Sequence, residues 1–262
     1  MFEKDWIHSE VPMPSNQKSF FLLIVLTFLQ CASVGEKYIE AAAEGDIALM
    51  EEFTKKHGDL TNVREDRKWS ALIAAASTGK LNVVQYLLQK KANLNLRTNL
   101  GDTAIYRASA KGYVDIVKLL LESGANPTIK DKKGDSPLMK AASKGNVEIM
   151  QLLLDAKVSP NEVRLSSLDG NTALMVAAEE GQVEAMKLLI KYKADINAKN
   201  QNGDSALSIA ASFGKLKAVK FLIEAGANVN NVSFLGLTPL AHAVDGGYTD
   251  IMVELQKAGA KE

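Results

Sequence analysis

Histidine and cysteine carry much of the acid–base, nucleophilic and metal chemistry of proteins, and this chain of 262 residues holds three histidines and one cysteine. His8, His57 and His242 are too scattered for a metal site or a catalytic triad. His242 and Asp245, three apart on one helix face, have the spacing of a base and its orienter. They also have the spacing of an ordinary surface pair, which is the reading adopted. A lone cysteine, Cys31, excludes an internal disulfide and a cysteine-rich metal site. No paired-carboxylate constellation stands out. The glycines recur at a fixed period that matches turns, so none belongs to a phosphate-binding loop. These residues predict no enzyme, no metal and no cofactor.

The elements that hold these residues are set by a repeat. A hydroxyl residue stands before a helix start at Ser70, Thr103, Ser136, Thr172, Ser205 and Thr238, in steps of 33, 33, 36, 33 and 33. A glycine between two helices follows with the same steps at Gly79, Gly112, Gly145, Gly181, Gly214 and Gly247. The clearest copy, Asp131 to Asn161, runs from a turn at Gly134 through Ser136-Pro137-Leu138 and Ala141-Ala142 to an apolar run ending Leu152-Leu153-Leu154. A fixed period near 33 marks a stacked repeat architecture. The hydroxyl predicts an N-cap, and Pro137 and Pro239 fit the first helical turn. Gly101, Gly134, Gly170, Gly203 and Gly236 fit a turn with positive φ. Lys68 stands at that position in the first full copy, which predicts a strained or remodelled hairpin.

Gly134-Asp135-Ser136-Pro137-Leu138, Gly236-Leu237-Thr238-Pro239-Leu240, Gly124-Ala125-Asn126 and Gly226-Ala227-Asn228-Val229-Asn230 resemble the ankyrin-repeat pattern. The resemblance covers residues 36 to 262 and implies an all-α solenoid of stacked helix-turn-helix units with hairpin loops, about seven repeats including caps. The family histidine that ties neighbouring turns is absent. Its positions hold Ile73, Tyr106, Met139, Met175, Ser208 and Ala241, so apolar packing is expected in place of those bonds. The predicted boundaries are a degenerate capping repeat at 36–64, then five repeats within 65–232, and a terminal cap at 233–262. The five repeats run 65–97, 98–130, 131–166, 167–199 and 200–232. Glu254-Leu255-Gln256 stands where internal copies carry three large apolar residues, the polarity a terminal cap needs. Three extra residues fall between Pro160 and Asp169, where a loop absorbs them at small entropic cost.

Residues 1–35 lie outside the repeat. The apolar run Phe20 to Leu29 has ten residues, about 15 Å of helix against the ~30 Å of a bilayer core. Lys18 precedes it, and Cys31, Ala32 and Ser33 follow. This order resembles a bacterial lipoprotein signal, with Gln30 departing from the usual small residue before the cysteine. It implies a signal peptide over 1–30, with a start at Met13 giving an acid-free leader. A lipidated Cys31 and short tether over 31–35 would follow, and the chain would lie in a bacterial cell envelope. The alternative is a cap helix over Phe20 to Leu29 on a cytoplasmic adaptor, with Cys31 an ordinary small residue.

Equal counts of 31 basic and 31 acidic residues, with pI near 6.9, argue against nucleic acid as a partner. The expected partner is another protein, with a membrane reached through the lipid on Cys31. In ankyrin arrays partners meet hairpin tips and inner-helix ends. By position these are Arg67, Trp69, Leu100, Lys111, Lys132, Lys133, Lys144, Phe213 and Phe234. The lysines predict an acidic partner surface, and Trp69 an anchor. Two bland alternatives accompany them: Trp69 folding back over the first repeat, and Phe234 and Leu235 folding inward as a closing hairpin.

Overall fold

Each hydroxyl singled out by the period caps a helix. Ser70, Thr103, Ser136, Thr172, Ser205 and Thr238 accept from the backbone N–H three residues on, at Ile73, Tyr106, Met139, Met175, Ser208 and Ala241. That bond satisfies one of the free donors of a first helical turn. The computed structural model describes residues 33–164 and 169–261. Its helices come in seven consecutive pairs. They are α1 Val34–Glu44 and α2 Ile47–His57, α3 Ala71–Thr78 and α4 Leu81–Gln89, α5 Ala104–Lys111 and α6 Val114–Glu122. Next come α7 Pro137–Lys144 and α8 Val147–Asp155, and α9 Ala173–Glu180 and α10 Val183–Lys191. The last are α11 Ala206–Ser212 and α12 Leu216–Glu224, then α13 Pro239–Asp245 and α14 Thr249–Lys257.

The inner helices α1, α3, α5, α7, α9, α11 and α13 stack in chain order. Small residues let them approach: Ala75, Ala76, Ala108, Ser109, Ala141, Ala142, Ala177, Ala178, Ala210, Ala211 and Ala243 are all wholly buried. The outer helices supply the bulk. Leu87, Leu120, Leu153, Leu189, Leu222 and Leu255, the middle member of each apolar trio, are each 0% exposed. Fully burying one such side chain stabilises by about 1.5–3 kcal/mol. One hydrophobic cluster runs from Tyr38 to Leu255, so the core belongs to the whole array and not to any single repeat.

One expectation needs correction, and of the two outcomes expected for the first hairpin, strain is the one found. Ser33, Val34 and Gly35 are part of the fold and not of a tether. Ser33 caps α1 in a capping box, its Oγ accepting from Glu36 N–H at 3.1 Å while Glu36 Oε2 accepts from Ser33 N–H at 2.6 Å. The first hairpin is not remodelled: Glu65 N–H still bonds Trp69 O at 3.2 Å, and Lys68 takes φ 60°. A side chain forced into that left-handed region costs roughly 1–2 kcal/mol, so the hairpin is kept at the expense of strain.

Hydrogen bonds between repeats are more numerous than apolar replacement of the family histidine implies. Ile73, Met139 and Met175 are buried as expected. Tyr106, however, donates through its hydroxyl to Asp131 at 2.7 Å, and Ser208 Oγ accepts from Asn231 at 3.3 Å. Asparagines lace the opposite edge. Asn62, Asn95, Asn161, Asn197 and Asn230 each accept, through Oδ1, a backbone N–H of the next repeat, at Asn93, Asn126, Asp195, Asn228 and Lys261, over 2.7–2.9 Å. Arg97 donates to Lys130 O at 2.8 Å and Lys199 to Val232 O at 3.1 Å.

Candidate partner-binding surface

The hairpins between repeats form one row. Within each, the opening residue donates its N–H to the carbonyl four residues on, Thr98 to Asp102, Asp131 to Asp135, Asn200 to Asp204 and Ser233 to Leu237, at 2.9–3.0 Å. Tips are then joined edge to edge. Asn99 N–H bonds Arg67 O, Lys132 N–H bonds Leu100 O, Gln201 N–H bonds Asp169 O and Phe234 N–H bonds Asn202 O, at 2.8–2.9 Å. Arg67, Leu100, Lys132 and Phe234 therefore stand on linked tips, while Lys111, Lys144 and Phe213 stand at the ends of inner helices.

Along this face the predicted residues differ in state. Arg67, Lys111, Lys132, Lys133 and Lys144 are exposed, and none makes an ion pair among the described residues. Leu100, Phe213, Phe234 and Leu235 are exposed by 58%, 51%, 76% and 82%. The inward-folding hairpin is therefore excluded: Phe234 and Leu235 face solvent. Trp69 behaves otherwise. It is half-buried against the core, and the Arg107 guanidinium lies 4.9 Å above its ring while bonding Asp102 at 2.7 Å. Burial pushes the Asp102 carboxyl up, and Arg107 opposes the shift. A shallow groove of about 420 Å³ beside Trp69 is edged by Glu36, Glu40, Glu65 and Arg67. Cys31 and the apolar run before it lie outside the described residues.

Charged side chains around the fourth hairpin pair with one another. The fourth hairpin opens at Arg164, whose N–H reaches Asn171 O at 2.8 Å, seven residues on instead of four. The Arg164 side chain forks between Asp135 at 2.6 Å and Asp169 at 2.5 Å, and Lys140 holds the other oxygen of Asp135 at 2.7 Å. These carboxylates hold the Arg164 guanidinium above its usual range, against the opposing effect of burial. His242 pairs with Asp204, 3.2 Å away in the preceding repeat, and not with Asp245. Arg164, Asp169, Asp204 and His242 line a cavity of about 240 Å³, with Asn171, Glu179, Asn200 and Phe213 also in its wall.

Arg164 is the residue that the sequence did not point to. Its signal was available, since the other hairpins open with Glu65, Thr98, Asp131, Asn200 and Ser233 and only this copy opens with a base. Among the described residues no group of histidine, cysteine and carboxylate side chains has the arrangement of a metal site. No described helix is long and apolar enough to cross a membrane.

Residues 38–131, 127–200 and 194–261 match the family described as ankyrin repeats, in three copies. Among solved structures, the human ASB11 ankyrin repeat domain is similar, with a TM-score of 0.72 at 25% identity over 82% of this chain and 96% of that one. Comparison with curated proteins finds no match.

Proposed function

Because this chain belongs to the ankyrin-repeat family, a family of interaction scaffolds, we propose that it is a non-catalytic protein-binding module tethered by a lipid on Cys31 to a membrane of a bacterial envelope. The observation that carries the binding half is the row of linked hairpin tips bearing bare apolar and unpaired basic side chains. An exposed Phe234-Leu235 tip gains nothing from solvent, and exposed apolar patches of this kind mark interaction sites. Lys132 and Lys133 on the neighbouring basic stretch suit an acidic partner surface and would act mainly on association rate. Co-purification of a partner that Phe234→Ala with Leu235→Ala abolishes, while the fold persists, tests this half. Retention of every partner by that variant would contradict it.

The tether rests on the order of the apolar run Phe20 to Leu29, then Cys31, then Ala32. Because α1 is already capped at Ser33, Ala32 alone separates Cys31 from the first residue of the fold, and two residues span at most about 7 Å. An array anchored at Cys31 would therefore sit against the membrane surface. Metabolic labelling with a clickable fatty acid should tag the protein, and Cys31→Ala should remove the tag. An untagged wild type that keeps Phe20 to Leu29 after maturation would overturn it.

A further inference from the structure

We propose that the row of hairpin tips and inner-helix ends takes one extended segment of a protein partner, with a cluster of acidic residues and a large apolar side chain about seven to nine residues apart. The proposal rests on the reading of the chain as a binding module and states the composition and spacing of what that surface binds.

The chain as a whole balances 31 bases against 31 acids, yet the exposed charges of this face are sorted by repeat. Lys111 ends α5, Lys132 and Lys133 stand on the hairpin before α7, and Lys144 ends α7. All four are exposed, and no carboxylate pairs with them among the described residues. The acids of the same two repeats are turned inward and engaged: Asp102 by Arg107, Asp135 by Lys140 and Arg164, and Asp131 by the Tyr106 hydroxyl. One repeat further on the sign reverses, because Glu180 at the end of α9 is exposed and makes no ion pair among the described residues. A partner's acids are attracted over α5 and α7 and repelled over α9, so the acidic cluster has one place along the row.

The apolar place lies beyond that acid. Phe213 caps the end of α11, and Phe234 and Leu235 stand on the hairpin before α13, all three exposed. Three stacking steps, α7 to α9 to α11 to α13, separate this hairpin from the one bearing Lys132 and Lys133. Packed helices lie 8–10 Å apart, so the two hairpins are roughly 24–30 Å apart. An extended chain advances about 3.3–3.6 Å per residue, which gives the spacing of about seven to nine residues. The backbone favours an extended segment independently of charge. Arg67 O, Leu100 O, Asp169 O and Asn202 O each accept an N–H from the next hairpin, whereas Leu235 O, next in that series, accepts none among the described residues. An extended segment has a free N–H to offer there, as in strand addition at a sheet edge, and the interior of a helix has none.

A displayed library of random peptides, long enough to span the row, is selected on the full chain. The expected result is one enriched class with an acidic cluster and an aromatic or aliphatic residue about seven to nine positions apart. Such a peptide should bind at least tenfold more weakly to Lys132→Glu with Lys133→Glu, and at least tenfold more weakly to Phe234→Ala with Leu235→Ala. Halving its spacer should weaken it as much. Both substituted pairs are exposed, and unchanged circular dichroism checks that each variant folds. Enriched peptides that carry only one of the two features, or that bind whatever the spacer, overturn the proposal and leave the binding module standing. So does a selected spacer of helical length, about 16–20 residues at 1.5 Å each. Self-association of the free chain that Phe234→Ala with Leu235→Ala abolishes, seen by analytical ultracentrifugation, would give the apolar end to a second copy and overturn it too. A library without any enrichment counts against the module itself and overturns both.

Discussion

The two ends of the array treat their large apolar side chains in opposite ways. At the N-terminal end Trp69 is half-buried, packed on the core and covered by Arg107. At the C-terminal end Phe234 and Leu235, on the equivalent hairpin five repeats on, are exposed by 76% and 82%. The backbone is the same at both ends, a four-residue hairpin closed by an N–H···O bond. Position within the hairpin accounts for the difference: Trp69 closes its hairpin, as the half-buried Leu237 does, whereas Phe234 and Leu235 stand at the tip, where Asp66 and Arg67 are likewise exposed. Arg107, 38 residues downstream, adds a cover over Trp69, whereas tip residues stay exposed even where a later repeat follows, as at Leu100. The aromatic that sequence position marks as an anchor serves stability, and the bare tip is the better candidate for contact.

That contrast can be broken or sharpened by substitution. The largest effects should come from the core, where the ends should agree. The polar neighbours of Leu255 predict a smaller loss there than at Leu153, yet both side chains are 0% exposed. Chemical denaturation should show Leu153→Ala and Leu255→Ala each losing about 2–5 kcal/mol. A loss below about 1 kcal/mol at Leu255 would mean that the last repeat frays. Next come the two tips. Trp69→Ala should cost about 2 kcal/mol of stability, less than a wholly buried tryptophan. Phe234→Ala should stay within about 0.5 kcal/mol in stability while weakening partner binding by about 2 kcal/mol or more. The reverse assignment would place the anchor back at Trp69.

A smaller effect is expected at the Arg164 charge clamp. Removing one member of a fully buried ion pair costs roughly 3–5 kcal/mol. Arg164 is 20% exposed and Lys140 still pairs Asp135, so Arg164→Ala should cost about 1–2 kcal/mol, seen as a lowered denaturation midpoint. The smallest effects compare hairpin turns. Lys68 and Gly236 hold equivalent positions with φ of 60° and 79°. Lys68→Gly should stabilise and Gly236→Ala destabilise, each by about 1 kcal/mol. Nothing lies within 4 Å of an added Cβ at Gly236, so its loss would be purely conformational.

What was legible in the sequence is local. A hydroxyl three residues before the N–H it caps, a glycine at a turn and the middle leucine of a trio each report their structure through neighbours in the chain, and the period repeats the signal. What was not legible depends on partners a repeat away. His242 bonds Asp204, 38 residues back, and Arg164 reaches Asp135, 29 residues back. Tyr106 gains its bond to Asp131 across 25. Such pairs depend on the stacking offset between repeats, which the period implies only coarsely. The exposure of Phe234 follows from its place at a tip, whereas the covering of Trp69 could not be read without knowing where Arg107 lands.

The central claim is that the linked hairpin tips meet a protein partner and the outer helices do not. A photo-activated cross-linking amino acid placed at Phe234 in the native cell, compared with the same residue at Glu148, exposed on the outer helix α8, tests this most directly. Discrete adducts of one size from Phe234 and none from Glu148 are the predicted result. Adducts from Glu148 with none from Phe234 would contradict the account.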